Sequence, residues 1–590
     1  MRAKKLLKTA GTLAGLSFLG SGLAHGQSPL TQGYQPPRSY FASPEVLMAV
    51  QGTTPPANAK PAPKTTTPAP ATVVPAPSTV TPAPVTIVEA PPASGSGCCE
   101  PANPCAKFPS IYSMPRMGAF IIPEGKPGYY TLRDLIFGDY REKAPPQPYS
   151  TISLNPGSFF DNDFRYLDKP DNTVTDFFDP IKRVRIGDHW LLQTGGEFRY
   201  RYMNEVSSRL TGRNNSYHLT RSRAYVDIGY CDQFRIYGEF IEAHSFQESL
   251  PPLLVDRNAA DILNLFADVK LLDVDKDPIY VRIGRQELLL GSQRLVSPLE
   301  WVNTRRNFDG VRIFRHSEKF DIDGFWTKPV IPNNAALDSW DDDANFSGGW
   351  LTYKPQKGTF LDLYVLNYNQ ARPVAVGRNG FRGGFDITTV GTRACGDFDG
   401  MWLYDTELAY QMGNRAGQAV SAGMATVGGG IRGKDIPWVP TFWAYWDYAS
   451  GSANPGGPGS FGTFNQLFPF GHNYLGWADI VGRQNIHDFN YQISLQPTPW
   501  ITFLTQYHIF RLDSSRDALF NTAGAPVRLD PTGAAGHDVG QEIDCLANIR
   551  LSRHQDILIG YSKLFAGPVI TRTGNPLSPE LFYAQYSFRW

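Results

Sequence analysis

Beyond one stretch near its start, this 590-residue sequence has no apolar run long enough to cross a bilayer as a helix. It also lacks HExxH, a P-loop, GxSxG and a paired CxxC, the spacings needed for zinc hydrolysis, phosphate cradling, serine acyl transfer and dithiol exchange. Net charge is absent as well: 55 Lys and Arg balance 55 Asp and Glu, which argues against the basic field of a nucleic-acid binder. Any functional charge must therefore be local. Cysteine is scarce, with six in all: Cys98, Cys99 and Cys105 cluster, while Cys231, Cys395 and Cys545 are isolated. No histidine accompanies the cluster, so an oxidised pair suits an exported chain better than a zinc site. Asp273, Asp275 and Asp277 open like a calcium loop, but Pro278 and Gly284 stand where that geometry needs Gly and Glu. No catalytic residue, metal or cofactor is expected.

The first residues read as an export signal over 1–26. Arg2, Lys4, Lys5 and Lys8 precede the apolar run Ala10 to Leu23, and Ala24-His25-Gly26 places small residues around a cut before Gln27. Residues 27–97 form a low-complexity linker, densest in Pro, Ala and Thr from Gln51 to Ser94. Its prolines block helix and sheet and favour an extended, disordered chain with polyproline II character, suited to spanning a periplasm. Residues 98–182 are a mixed lead-in. Asp161, Asp163, Asp168 and Asp171 there read as solvated turn residues rather than a cation site.

From 183 to 590 the chain alternates with period two. In GEFRYRYM, Phe198, Tyr200 and Tyr202 oppose Glu197, Arg199 and Arg201. In RSRAYVDIGY, Ala224, Val226 and Ile228 oppose Arg223, Tyr225 and Asp227. The split returns in HDFNYQISLQ and EIDCLANIRL. A soluble antiparallel sandwich also alternates. Connection length separates the two: short turns such as CDQ, HSEK, KPQKG and SRHQ alternate with long segments such as Ser292 to Arg306 and Ala449 to Asn485, as at the two rims of a transmembrane barrel. The count from His189 is about eighteen strands, an even number that leaves both chain ends at the short-turn rim. The last strand, ELFYAQYSFRW, places Phe588 and Trp590 on its apolar face, resembling the C-terminal signal read by the outer-membrane barrel assembly machinery. The fold class predicted is thus all-β, a transmembrane antiparallel barrel in outer-membrane lipid.

Arg199, Arg201, Arg221, Arg223, Arg282 and Arg312 lie on the non-apolar face of their strands, which a closed barrel turns toward its lumen. Unpaired charges in a sealed core would cost several kcal/mol each, so alternation predicts a hydrated, arginine-lined pore. Guanidinium groups match carboxylates in a bidentate fork, which favours carboxylated solutes. The alternative is an arginine–carboxylate ladder with no role in selectivity. The pairs Asp405/Glu407 and Glu542/Asp544 sit two apart on strands; they are read as polar lining rather than as a glycosidase acid and base.

GGEFRYRY, LTRSRAYVDI and above all GRQELLLGSQRLVSPLEWVNTRRNFDGVRI, residues 284–313, resemble the alginate export family of outer-membrane porins, over roughly Phe159 to Trp590. That resemblance implies an eighteen-stranded barrel with a positively charged constriction. It points to Arg285 as the leading pore arginine, followed by Arg294, Arg305 and Arg312, with Asp309 as acidic partner. Strict alternation conflicts with Arg285, because Val281 and Ile283 face outward. Either Gly284 introduces a bulge or the strand has left the membrane there. The Pro/Thr-rich extension and the cysteine cluster depart from the family pattern and suggest a periplasmic or wall-associated partner. The expected function is an outer-membrane channel for an anionic polysaccharide or other carboxylated solute. A general or small-acid-specific porin, a glycan-acting enzyme and a structural envelope tether are the alternatives.

Overall fold

The computed structural model describes residues 129–138, 149, 154 and 157–590, apart from 174 and 357. The predicted export signal, linker and Cys98, Cys99 and Cys105 lie outside the described residues. Cys231, isolated in the sequence, is disulfide-bonded, whereas Cys395 and Cys545 are free thiols.

Eighteen antiparallel strands close into a barrel. They are β1 (Trp190–Val206), β2 (Asn215–Tyr230), β3 (Phe234–Phe246), β4 (Asn258–Val274), β5 (Asp277–Gln286), β6 (Phe308–His316), β7 (Phe320–Ile331), β8 (Ala344–Tyr353), β9 (Phe360–Val376), β10 (Arg382–Phe398), β11 (Trp402–Arg415), β12 (Gln418–Arg432), β13 (Thr441–Ala449), β14 (Ile486–Thr498), β15 (Ile501–Arg511), β16 (Asp538–Arg550), β17 (Gln555–Ala566) and β18 (Glu580–Arg589). Each pairs with its neighbour in sequence, and β18 closes on β1 in a register running from Glu197↔Arg589 to Val206↔Glu580. Trp590 extends the seam by exchanging backbone hydrogen bonds with Gly196 at 3.0 and 3.1 Å. A Cβ at Gly196 would lie 2.5 Å from the Trp590 ring, so the closure needs glycine there.

The alternation is inside-out relative to a soluble sheet. Phe198, Tyr200, Val226, Ile236 and Phe240 are exposed, while Glu197, Arg199, Arg221, Arg223, Arg235 and Glu239 are buried. Among the described residues no helix is long and apolar enough to cross a membrane. Short turns and both ends of the barrel share one rim. The opposite rim carries most of the long connections, with residues 377–381 and 416–417 as brief exceptions.

Two of those long connections, 287–307 and 450–485, pack inside the barrel. They join backbone to backbone: Ser297 donates to Phe468 (3.0 Å), Phe468 to Leu295 (2.9 Å) and Phe470 to Gln293 (2.9 Å). Leu288, Leu290, Leu295, Val296 and Phe468 from these loops bury against Phe346 and Tyr368 of the wall. The interior is therefore not polar throughout, because the loops bring their own apolar cluster into it. From the short-turn side, Phe159 and Phe160 of the lead-in pack against Tyr225, Tyr237 and Phe266.

Candidate functional site

The arginines predicted to line the lumen do face inward. Arg199, Arg201, Arg221, Arg223 and Arg282 keep at most 2% of their surface exposed, and Arg312 keeps 6%. Carboxylates and loop carbonyls meet their guanidinium groups. Arg223 meets Glu239 at 2.6 Å. Arg282 meets Asp268 through two bonds of 2.7 and 3.0 Å, and Arg312 meets Asp323 at 2.7 Å. These partners sit on neighbouring strands, where side chains directly opposite or diagonal come within reach. The lead-in adds a second contact. The Arg223 guanidinium lies 4.0 Å from the Phe159 ring centre, Arg282 lies 4.6 Å from that of Phe160, and Arg235 donates to the Phe160 carbonyl at 2.9 Å.

Nearer the other rim, the arginines turn to the 287–307 loop. Arg199 donates to the Glu300 carbonyl (3.0 Å), the Glu300 carboxylate (3.3 Å), the Val302 carbonyl (2.9 Å) and Asn303 Oδ1 (3.2 Å). Arg201 donates to the Trp301 carbonyl at 2.8 Å, and its guanidinium lies 3.7 Å from the indole centre. Arg221 bridges Glu197, at 2.6 Å, and Glu300. Trp301 then stacks on His472 of the second loop at 3.7 Å and donates Nε1 to Asp479 at 3.1 Å.

The two loop arginines predicted as pore residues, Arg294 and Arg305, also point inward. Arg305 pairs with Glu287 and Glu300 of its own loop. Arg294 crosses to the far wall and binds Asp405 at 2.7 Å and Glu407 at 3.0 Å. Asp405 is shared with Arg393 at 2.9 Å. The carboxylate pair read as lining is thus the anchor of a loop. Glu542 and Asp544 anchor the other one: they accept the backbone N–H groups of Ala478 at 2.9 Å and Trp477 at 3.3 Å. Beside them His508 lies 2.8 Å from Asp488 and 3.4 Å from Asp544. Among the described residues no group of three or more His, Cys, Asp or Glu is arranged to hold a metal ion.

Arg285 requires a correction. Its strand pairs with β6 without a register shift, Ile283↔Val311, Gly284↔Gly310 and Arg285↔Asp309, so no bulge turns it inward. Gly284 absorbs a φ of +125°, and a Cβ there would come within 2.3 Å of the Leu265 carbonyl oxygen. Arg285 therefore stays on the outer face with Ile283 and Val311, one residue before its strand ends. Asp309 is its partner, through bonds of 2.9 and 3.0 Å, but the pair lies outside the lumen. The rim segment around Asp338 covers it, accepting at its carbonyl from Arg285 at 3.1 Å.

Sequence reasoning passed over Arg235, Arg393 and Arg589, all inward and buried. Each follows the same alternation, and Arg589 sits between Phe588 and Trp590, already assigned outward. Glu287 and Glu300 left no such signal, because loop residues have no period to read.

Solved structures match this chain at low identity. Pseudomonas aeruginosa OpdO is 11% identical over 68% of this chain and 97% of its own, with a TM-score of 0.45. Acinetobacter baumannii OccAB2 is 9% identical over 68% and 98%, with a TM-score of 0.47. The Pseudomonas aeruginosa outer membrane protein OprD is 10% identical over 68% and 94%, with a TM-score of 0.43. Comparison with curated protein sequences gives no match. The alginate export profile matches residues 190–584, from the first barrel strand into the last. With that match over most of the sequence, and an eighteen-stranded barrel beneath it, the chain belongs to the alginate export family, as an outer-membrane channel protein rather than an enzyme.

Proposed function

We propose that the channel passes an anionic polysaccharide or another carboxylated solute, selected along the arginine wall of β1 and β2. The observation that carries this reading is the placement of Arg199, Arg201 and Arg221. Their guanidinium groups converge on the carboxylate and carbonyl oxygens of a single turn segment, Glu300 to Asn303. Planar guanidinium groups suit carboxylates better than point cations do, and a succession of them serves a chain of repeated acids. The ladder partners on neighbouring strands hold the remaining arginines in place and temper the field.

Planar-bilayer conductance tests the proposal. The expected result is anion over cation preference that falls when Arg199 and Arg221 are replaced by Gln. Cation preference in the unaltered protein would overturn it. Deleting Gln51 to Ser94 is expected to leave conductance unchanged, since that tract serves only as a spacer in this reading.

A further inference from the structure

We infer that Arg199, Arg221 and Arg305 form a carboxylate-binding subsite whose present occupant is the chain's own Glu300, a tethered stand-in that a carboxylated solute displaces in order to pass. The inference rests on the channel reading above and adds to it an address and a condition for entry. Its foundation is a difference among the lumen arginines. Arg223, Arg235, Arg282 and Arg312 each have a carboxylate on the wall, at Glu239, Asp227, Asp268 and Asp323. Arg199 does not: its hydrogen-bond acceptors all belong to Glu300, Val302 and Asn303, and its one ion pair is with Glu300. A wall cation whose partners all arrive on a loop loses every one of them when that loop moves.

The charge balance points the same way. Arg199, Arg221, Arg305 and Arg589 are matched by Glu197, Glu287, Glu300 and Asp556, while Arg201 beside them bonds only Gln585 and the Trp301 carbonyl. Withdrawing Glu300 leaves two positive charges over, in a place where uncompensated buried charge is costly. A solute carboxylate takes up the charge that Glu300 supplied. The segment also imitates a polymer, because after the carboxylate it presents the carbonyl oxygens of Trp301 and Val302 to Arg201 and Arg199 in succession. The flat face of Trp301, held between the Arg201 guanidinium and His472, completes the imitation. Discrimination follows: a neutral solute cannot take the place of Glu300 without stranding Arg199, whereas an acid can.

The test uses full-length protein and a galacturonate oligomer as probe, with a neutral maltooligosaccharide of matched length as control. If Glu300 keeps the subsite filled most of the time, Glu300→Gln lowers the half-blocking concentration of the galacturonate in planar bilayers by about tenfold, because the competing occupant has lost its charge. The maltooligosaccharide response stays as it was. Adding Arg199→Gln to that variant reverses the gain. Equal half-blocking concentrations in the variant and the unaltered protein would overturn the inference while leaving the channel reading intact, provided galacturonate still blocks. Should galacturonate neither block nor pass in either protein, the channel reading itself fails. Hydrogen exchange on the unaltered protein decides the matter if Glu300→Gln does not fold. Galacturonate is expected to accelerate exchange in residues 299–304, and unchanged or slower exchange there on galacturonate binding would refute displacement.

Discussion

On the wall built from β1 and β2, arginines reach across to the carboxylate and carbonyl oxygens of the 287–307 loop. On the wall built from β14, β15 and β16, the polarity is reversed: Glu542 and Asp544 accept backbone N–H groups from the 450–485 loop. Both walls dock an inward loop, yet Arg199 and Arg221 meet a full charge on theirs whereas Glu542 and Asp544 meet backbone N–H groups. A peptide N–H is a dipole, so it satisfies a carboxylate's lone pairs without cancelling its charge. On the displacement proposed above, the cationic wall is the one whose loop gives way to an ionised ligand, and the acidic wall is the fixed side of the socket.

The largest predicted effect comes from breaking the cationic side. Arg221→Ala removes charge-assisted hydrogen bonds to both Glu197 and Glu300, which keep Arg589 and Arg199 with Arg305 as partners. At about 1.5–3 kcal/mol for each bond, it is expected to give the largest loss of unfolding stability, read from urea unfolding in detergent. On the acidic side, Glu542→Ala removes the acceptor for the Ala478 amide. A smaller loss of about 1–3 kcal/mol is expected, with faster hydrogen exchange confined to the second loop. If the two losses are equal, the walls do not differ as described. Arg285→Gln, on the outer face, is expected to change stability by about 1 kcal/mol or less and to leave ion preference unaltered in bilayers. A change in selectivity there would return Arg285 to the lumen.

The mildest test is pH. Burial pushes the Lys182 ammonium down to about 8, although Asp176 and Asp179 oppose the shift. Between that value and its ordinary value of 10.5 the unfolded chain binds the extra proton, so stability rises with pH across that window and is flat below it. Lys182 donates to the Thr194 carbonyl and sits 4.7 Å from the Phe164 ring centre, so the gain registers as tighter docking of the lead-in. Lys182→Met is expected to abolish the pH dependence, measured by proteolysis of the lead-in across that range.

Much of the architecture could be read in the sequence because strand alternation and turn length are short-range properties. Phe198 and Arg199 must face opposite ways whatever the rest of the chain does, and the CDQ and HSEK turns mark one rim locally. The same rule located Arg201, Arg221, Arg223, Arg282 and Arg312, and it correctly objected to Arg285, which family likeness had favoured. It also placed Glu197 and Asp227 on the inward faces, where they pair with Arg221 and Arg235. The loop partners Glu287 and Glu300 were the part alternation could not supply.

By itself, then, the sequence determined which face of each strand is charged, where the two rims lie and that the chain closes as a barrel. Tertiary structure alone decided that the 450–485 loop joins the 287–307 loop inside the lumen, that Asp405/Glu407 and Glu542/Asp544 receive them, and that Glu300 occupies the arginines. The physical reason is distance along the chain. Arg199 and Glu300 are 101 residues apart, and Arg294 and Asp405 are 111 apart. No local period links such positions; only closure of the barrel brings them to one place.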